Sequence, residues 1–380
     1  MNMKKIRILI YSDHFFPSIG GSENYALDLA NELYREGHKV GVITAEQYDK
    51  NDEFEFEIFR LHKPFSVKRV NVNFIEVLNI IKMFRPDVFH INYQTGGENI
   101  LIPLLKLMKI PIFITYHADH ISTLGKIIDE LQLATTFRFA NIIIVQSERD
   151  KKKFMSRGIS DKRLKLFPFN GIDTEKYKCN SKPILDKKLL HIICIARLDD
   201  SHKYKGIQKL IDNIKNIKGK DIGFNFFINI IGNGNMKNFY ENECIINHIS
   251  NVNFLGDLKF NDLVNQICRS NFLILPSIDK AEGFGRVALE AISCGIPVIV
   301  SKYAGIAELI QKYDAGVVYD PEKFDELINI IKNLLSNPQK IDEYINNGYR
   351  LISECGLSLK ETTHKTVELY YSIIEKYNTM

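Results

Sequence analysis

The sequence predicts an α/β protein of the doubly wound kind, with two Rossmann-like domains facing a cleft. Three observations predict it. Apolar runs of strand length alternate with segments of helical periodicity along the chain. Most of these runs are nearly continuous rather than alternating, as parallel strands covered on both faces are. The pattern restarts after a polar stretch, Asn180 to Lys188, so that 380 residues divide into two such units.

Each element follows from local residues. Lys5 to Ser12 predicts the first strand, and a loop with Pro17, Gly20 and Gly21 follows it. Ser22 to His38 predicts a helix, because Tyr25, Ala26, Leu29 and Leu33 recur at helical spacing; Ser22 is its candidate cap and Gly37 its stop. Strands follow at Lys39 and near Phe56, then a helix ended by Pro86 and a buried strand from Asp87 to Asn92. A turn at Gly96-Gly97 leads to an apolar helix, the strand Pro111 to His117, a helix over 127–140 and a strand from Asn141. A helix capped by Ser147 and stopped by Gly158 precedes a short strand and the turn Asn170-Gly171. After the linker the second unit repeats strand and helix up to two helices between Pro321 and Glu354. A last helical segment runs from Leu357 to about Lys376 with no strand after it. The expected boundaries are therefore 1–180, 181–355 and 356–380.

Composition narrows the function. The net charge is +4, too small for a nucleic-acid binder, although local basic runs such as Lys151-Lys152-Lys153 suit a visit to an anionic membrane. No run reaches the roughly 18–20 apolar residues that span a bilayer, and the N-terminus does not read as a signal peptide, so the expected compartment is the cytoplasm. The six cysteines, Cys179, Cys194, Cys244, Cys268, Cys294 and Cys355, are scattered singly. They read as buried free thiols, with no clustered ligand set for zinc.

Ligands in such sheets bind beyond the C-terminal ends of the strands, and the unusual residues lie there. Gly20-Gly21-Ser22-Glu23 follows the first strand and opens a helix, where backbone approach and the helix N-terminus suit a phosphate; an ordinary loop-to-helix turn explains the same residues. Gly232-Asn233-Gly234 also follows a strand, and neither stretch has the glycine spacing of a dinucleotide fingerprint, so hydride transfer fits poorly. His117 ends a strand and could donate to a phosphate or hydroxyl, or be a satisfied structural histidine. Asp119 and His120 follow it without a specific metal spacing. Arg197, right after a strand, and Lys205, just before the helix that begins at Gly206, suit a diphosphate, against surface salt bridges as the plainer reading; Lys203 competes with Lys205. Glu282 sits in the turn before a helix that starts near Phe284, with Glu290 two turns along. If both were helical they would be ~12 Å apart, wider than the ~5–9.5 Å of glycosidase carboxylates. Gly283 and Gly285 let a ligand approach the backbone.

Taken together, Glu282-Gly283-Phe284-Gly285 through Glu290-Ala291, with Cys294-Gly295 and Pro297-Val298 behind, resemble the E-x7-E signature of the retaining GT-B glycosyltransferases of the family 4, group 1 type. Gly20-Gly21, Arg197-Leu198, Lys205-Gly206, Gly232-Asn233-Gly234, Phe254-Leu255-Gly256, Pro276-Ser277 and Asn170-Gly171-Ile172-Asp173 match in the same order. The resemblance implies an N-terminal domain for the acceptor, a C-terminal domain for a UDP- or GDP-sugar donor, and a final helix crossing back to the first domain. It implies that Arg197 and Lys205 hold the diphosphate, that Gly20, Gly21 and Gly234 approach the donor by backbone, and that Glu290 binds the ribose. Glu282, with Gly283, Phe284 and Gly285, would face the donor sugar, and His117 would orient it. No tightly bound cofactor and no metal is implied. The acceptor expected is a glycan or lipid-linked glycan of surface polysaccharide biosynthesis, met in the cytoplasm or at the inner face of the membrane. A nucleotide-sugar epimerase or hydrolase and a noncatalytic nucleotide-sugar-binding subunit are the alternatives. The chain departs from the pattern at Ala196, where glycine is usual, and in the eight positions from Arg197 to Lys205.

Overall fold

The computed structural model describes residues 4–18, 20–48, 54–62, 74–93, 101–117, 137–146, 148–166, 171–180, 185–186 and 188–378. The chain divides into two compact units, Met1–Gly171 with Leu359–Met380, and Ile172–Ser358. Each is a parallel sheet flanked by helices.

Among the described residues, the first unit has seven strands in the order β3-β2-β1-β4-β5-β6-β7. These are β1 (Arg7–Ser12), β2 (Lys39–Thr44), β3 (Glu57–Arg60), β4 (Val88–Tyr93), β5 (Ile112–Tyr116), β6 (Ile142–Val145) and β7 (Leu164–Leu166). The helices are α1 (Gly21–Arg35), α2 (Phe74–Phe84), α3 (Leu101–Leu107) and α4 (Glu148–Ser156), joined by the final helix Leu359–Asn378. Because successive strand residues point to opposite faces, Leu9 and Tyr11 of β1 enter one core with Val77, Ile81 and Leu105, while Ile8 and Ile10 enter another with Tyr25, Leu29 and Leu33. Val367, Tyr370 and Ile373 of the final helix complete that second core.

Among the described residues, the second unit has six strands in the order β10-β9-β8-β11-β12-β13. They are β8 (Leu189–Ile195), β9 (Asn225–Ile231), β10 (Val252–Gly256), β11 (Phe272–Leu275), β12 (Val298–Ser301) and β13 (Val317–Tyr319). Between and after them run α5 (Ile207–Ile217), α6 (Lys237–Ile246), α7 (Phe260–Cys268), α8 (Arg286–Ser293), α9 (Ala307–Tyr313), α10 (Phe324–Ser336) and α11 (Pro338–Cys355). Both sheets reverse their strand order once, between β1 and β4 and between β8 and β11, which creates the crevice where doubly wound sheets bind ligands. The second unit closes on itself, since the Ile172 N–H donates to Leu357 O at 2.8 Å. Its first residue thus precedes the polar stretch at Asn180, because the chain has already joined this unit by Ile172.

The structure corrects three local expectations. Ser22 does not cap α1; the cap position is Gly20, and the Ser22 hydroxyl instead donates to Glu23 Oε2 at 2.9 Å. Cys179 and Cys268 form a disulfide, with Cα atoms 5.5 Å apart and a sequence separation of 89, so the reading as buried thiols holds only for Cys194, Cys244 and Cys294, Cys355 being half-buried. Nor are the cysteines unclustered, for the sulfurs of Cys179, Cys268 and Cys294 all lie within 4.8 Å of one another. Tertiary packing brings together what sequence spacing keeps apart. The expected cap Ser147, the Gly96-Gly97 turn and most of the helix over 127–140 lie outside the described residues; Phe137–Phe139 forms a single 3-10 turn.

Candidate functional site

In the second unit the site residues gather beyond the sheet's switch point. Past β8, the Leu198 N–H donates to Asn233 O at 2.9 Å, so the chain stays against the loop that follows β9. That contact requires glycine. At Gly234, φ is +154° and a Cβ would stand 2.3 Å from the Leu198 carbonyl carbon. Arg197 is left partly in solvent, its Nε 4.0 Å from Asp199 Oδ2.

A 3-10 segment, Asp200–Lys205, ends at Gly206, whose φ is +77° and whose missing Cβ would lie 2.0 Å from the Pro276 carbonyl oxygen. This contact carries Lys205 to the loop after β11. There Lys205 Nζ donates to both oxygens of Glu282, each at 2.9 Å, and the Ser277 hydroxyl donates to Glu282 Oε2 at 2.7 Å. Glu282 is buried and the lysine nearly so, so the pair exists in a medium where charge-assisted bonds are strong. Lys203 lies on the same segment but turns to solvent and pairs with Asp200. Lys205 is therefore the lysine beside Glu282.

The backbone from Gly283 to Gly285 is fixed from across the unit, as the Gly305 and Ile306 N–H groups donate to Gly283 O and Phe284 O at 2.8 Å each. Gly285 then caps α8 in the left-handed region, and the helix begins at Arg286. Its N-terminus adds a favourable potential for an anion. Glu290 is buried rather than a surface helix residue, and Arg286 Nε approaches its Oε1 at 3.4 Å one turn away. Glu282, Gly283, Phe284, Gly285, Glu290, Lys205, Arg197 and Gly234 all belong to this unit.

His117, Gly20 and Gly21 belong to the first unit. His117 follows β5, is buried, and bonds through Nε2 to Asn92 Oδ1 at 2.6 Å. The Asn92 amide donates to Ser12 Oγ at 2.9 Å and to Ser22 O at 3.1 Å. With the amide hydrogens so used, its oxygen faces His117, which makes Nε2 the donor. Nδ1 then accepts from Gln146 Nε2 at 3.3 Å. Burial drives the His117 pKa down to about 3, in keeping with a neutral ring. Both ring nitrogens are thus occupied within the protein. Gly20 is extended and packs on the Glu23 carboxylate, while the space beside the Gly21 Cα is open. Asp119 and His120 lie outside the described residues.

Sequence reasoning missed Arg286, Asn92 and Gln146. The i, i+4 spacing to Glu290 was the signal for Arg286. Asn92 and Gln146 are each at the C-terminal end of a parallel strand, but their neighbours along the chain carry no mark of the contact.

A pair of doubly wound sheets, with basic and acidic side chains gathered past the strand ends of the second, defines a class of two-unit α/β enzymes. Family models described as glycosyl transferases group 1 and Glycosyltransferase Family 4 match residues 179–351 and 19–176. The chain belongs to these GT-B-type glycosyltransferases. It is 25% identical over 337 residues to an uncharacterized glycosyltransferase of Methanocaldococcus jannaschii, covering 86% of this chain and 87% of that one. It is 24% identical over 384 residues to the phosphatidylinositol N-acetylglucosaminyltransferase gpi3 subunit of Schizosaccharomyces pombe, covering 96% and 77%. Sucrose-phosphate synthase from Thermosynechococcus elongatus has a similar fold, with a TM-score of 0.77, 19% identity and coverage of 97% and 99%. So does Anabaena HepE in complex with UDP and glucose, at 0.74, 18%, 97% and 100%.

Proposed function

We propose that this glycosyltransferase moves a sugar from a UDP- or GDP-sugar, with retention of configuration, to a glycan or lipid-linked glycan acceptor in surface polysaccharide biosynthesis. The observation that carries the reading is the buried contact of Lys205 with both oxygens of Glu282. A donor diphosphate arriving at the N-terminal end of α8 draws Lys205 and Arg197 onto its oxygens. That exchange frees a Glu282 oxygen to accept from a hydroxyl of the donor sugar, with Ser277 still holding the other. As the bond to the sugar breaks, charge builds on the departing diphosphate, and the two cations stabilise it there. Glu290 accepts from the ribose, and the backbone at Gly283, Phe284, Gly285 and Gly234 lets the donor come close.

His117 acts differently from a free donor. Its ring is fixed by Asn92 and Gln146, so it presents a neutral, oriented imidazole to the sugar. Gly20 and Gly21 open α1 beside it and meet the donor by backbone. On the front-face path, the departing phosphate takes the acceptor proton and no enzyme nucleophile is used. No tightly bound cofactor or metal enters this path. The UDP and glucose bound to HepE support the donor class, and the gpi3 relative supports a lipid acceptor.

The first unit binds the acceptor. Exposed Lys152, Met155 and Arg157 on and after α4 support peripheral contact with an anionic membrane on the cytoplasmic side. No helix among the described residues is long and apolar enough to cross a membrane. The deciding experiment incubates purified protein with UDP- and GDP-sugars, with and without lipid-linked glycan acceptors, and assigns the product's anomeric configuration by NMR. A retained linkage formed only with acceptor supports the reading. Inversion, or nucleotide-sugar conversion that needs no acceptor, rejects it.

A further inference from the structure

Three cysteines far apart in the sequence meet at the end of α8 opposite the one at the candidate site. Cys294 caps the C-terminus of α8, Cys268 is the last residue of α7, and Cys179 lies on the segment that enters the second unit. That segment is held in place independently of sulfur. The Ser293 hydroxyl donates to Tyr177 O at 2.8 Å, and the Tyr177 ring packs edge-on against Phe260 with centroids 5.2 Å apart. Cys179 is thereby delivered to the ends of two helices. The sulfurs of all three cysteines lie within 4.8 Å of one another, with Cys294 buried and the other two half-buried.

We propose that Cys179, Cys268 and Cys294 form a structural site for a thiophilic d10 cation such as Zn2+ when the protein is reduced, the Cys179–Cys268 disulfide being the metal-free, oxidised form of the same cluster. A cation bound by thiolates at about 2.3 Å places the sulfurs of a tetrahedron about 3.8 Å apart. The observed cluster reaches that spacing with side-chain rotation once the disulfide opens. Two helix C-termini end here, and their carbonyl ends favour a positive charge. Three thiolates outweigh a divalent cation by one charge, and Lys178 and Arg269, the exposed chain neighbours of two of the ligands, lie close enough in sequence to offset it. Three protein ligands leave the fourth tetrahedral position to an exogenous ligand such as water, so the site is open where four-ligand structural zinc sites are closed.

The chemistry balances with a dithiol as reductant. Two electrons pass from the dithiol to the Cys179–Cys268 bond, the dithiol closes to its own disulfide, and its two protons go to the new thiols. Zn2+ then displaces three thiol protons and takes the thiolates as ligands. The site is remote from the reaction and independent of the donor reading. It ties the segment entering the second unit to α7 by a covalent bond in the oxidised form, and to both α7 and α8 through the metal in the reduced form.

The test titrates the full chain, reduced with a phosphine and kept anaerobic, with Zn2+ against a chromophoric chelator. Cd2+ is titrated in parallel, and its thiolate charge-transfer absorbance is read. The expected result is one tight equivalent per chain in the reduced protein and none in the oxidised protein. Affinity should fall at least 100-fold in C294A and be unchanged in C244A. Should C294A fail to fold by circular dichroism, C179S, on the entering segment, reads the same loss. Absence of a stoichiometric equivalent in the reduced wild type overturns the proposal. Affinity in the folded cysteine variant within twofold of wild type also overturns it.

Discussion

Lys205 shows how a single side chain is assigned. Both Lys203 and Lys205 follow Arg197 at distances compatible with a phosphate contact, and composition cannot separate them. The positive φ of Gly206 and the Pro276 carbonyl beside it decide the matter, because they press Lys205 onto Glu282 and leave Lys203 in solvent. K205A should lower the rate of nucleoside diphosphate release about 100-fold or more, the scale of removing one preorganised charge stabiliser. K203A should stay within twofold of wild type, and equal losses in the two variants would refute the assignment. The glutamates, the glycines and Arg197 could be proposed from sequence because they come in a recognisable order, most of them after a strand and Glu290 two turns into the helix that follows. The neutral tautomer of His117 was not, since it depends on Asn92 and Gln146, which lie on neighbouring strands far away in sequence.

Buried histidines also give a pH dependence. Burial holds both His90 and His117 near a pKa of about 3, with the nearby His117 adding to the effect on His90. In the unfolded chain each titrates near 6.5. Between about pH 6.5 and 3 the unfolded state therefore binds more protons, so stability falls as pH falls through that window, and above it neither ring contributes. At pH 5 the loss is about 2 kcal/mol for each histidine. Urea midpoints at pH 7.5 and pH 5 check this, and H90Q should flatten the dependence. An H90Q profile as steep as wild type would count against it.

At the scale of elements, the alternation of strands and helices was readable because apolar runs and helical periodicity are local properties. Helix starts were less so. Ser22 has the chemistry of a cap, but Gly20 occupies that position and Ser22 bonds to Glu23 instead. The final helix illustrates a long-range element. Its Tyr370 hydroxyl meets His90 Nδ1 at 2.5 Å, while His90 Nε2 meets Thr115 Oγ1 at 2.8 Å. Y370F leaves a buried ring nitrogen without this bond and should destabilise the protein by about 1–3 kcal/mol, read as a lower urea midpoint with an unchanged slope. On α5's entry, G206A forces a Cβ onto the Pro276 carbonyl at a left-handed position. It should destabilise by at least about 2 kcal/mol and depress activity with it, because Lys205 precedes the displaced residue.

Over the whole molecule, two units with separate cores were foreseeable from length and from the restarted pattern. Their junction was not, because Ile172 joins the second unit through a backbone bond to Leu357, and no composition change marks it. The second unit is one continuous segment, whereas the first takes Val367, Tyr370 and Ile373 from the far end of the chain. Residues 172–358 alone should unfold cooperatively, and residues 1–171 without the final helix should not, as read by urea titration. The cysteine cluster was equally hidden, since its members come from three separate elements.

The second unit is proposed to carry a nucleotide-sugar site built on Arg197, Lys205, Glu282 and Glu290. Isothermal titration of excised 172–358 with UDP, GDP and their sugars distinguishes this from a merely structural cluster. One nucleotide sugar binding with a stoichiometry of one, and weakening at least tenfold in both R197A and E290A, is the expected result. Binding unaffected by either substitution, or seen only with a segment that lacks these residues, would contradict it.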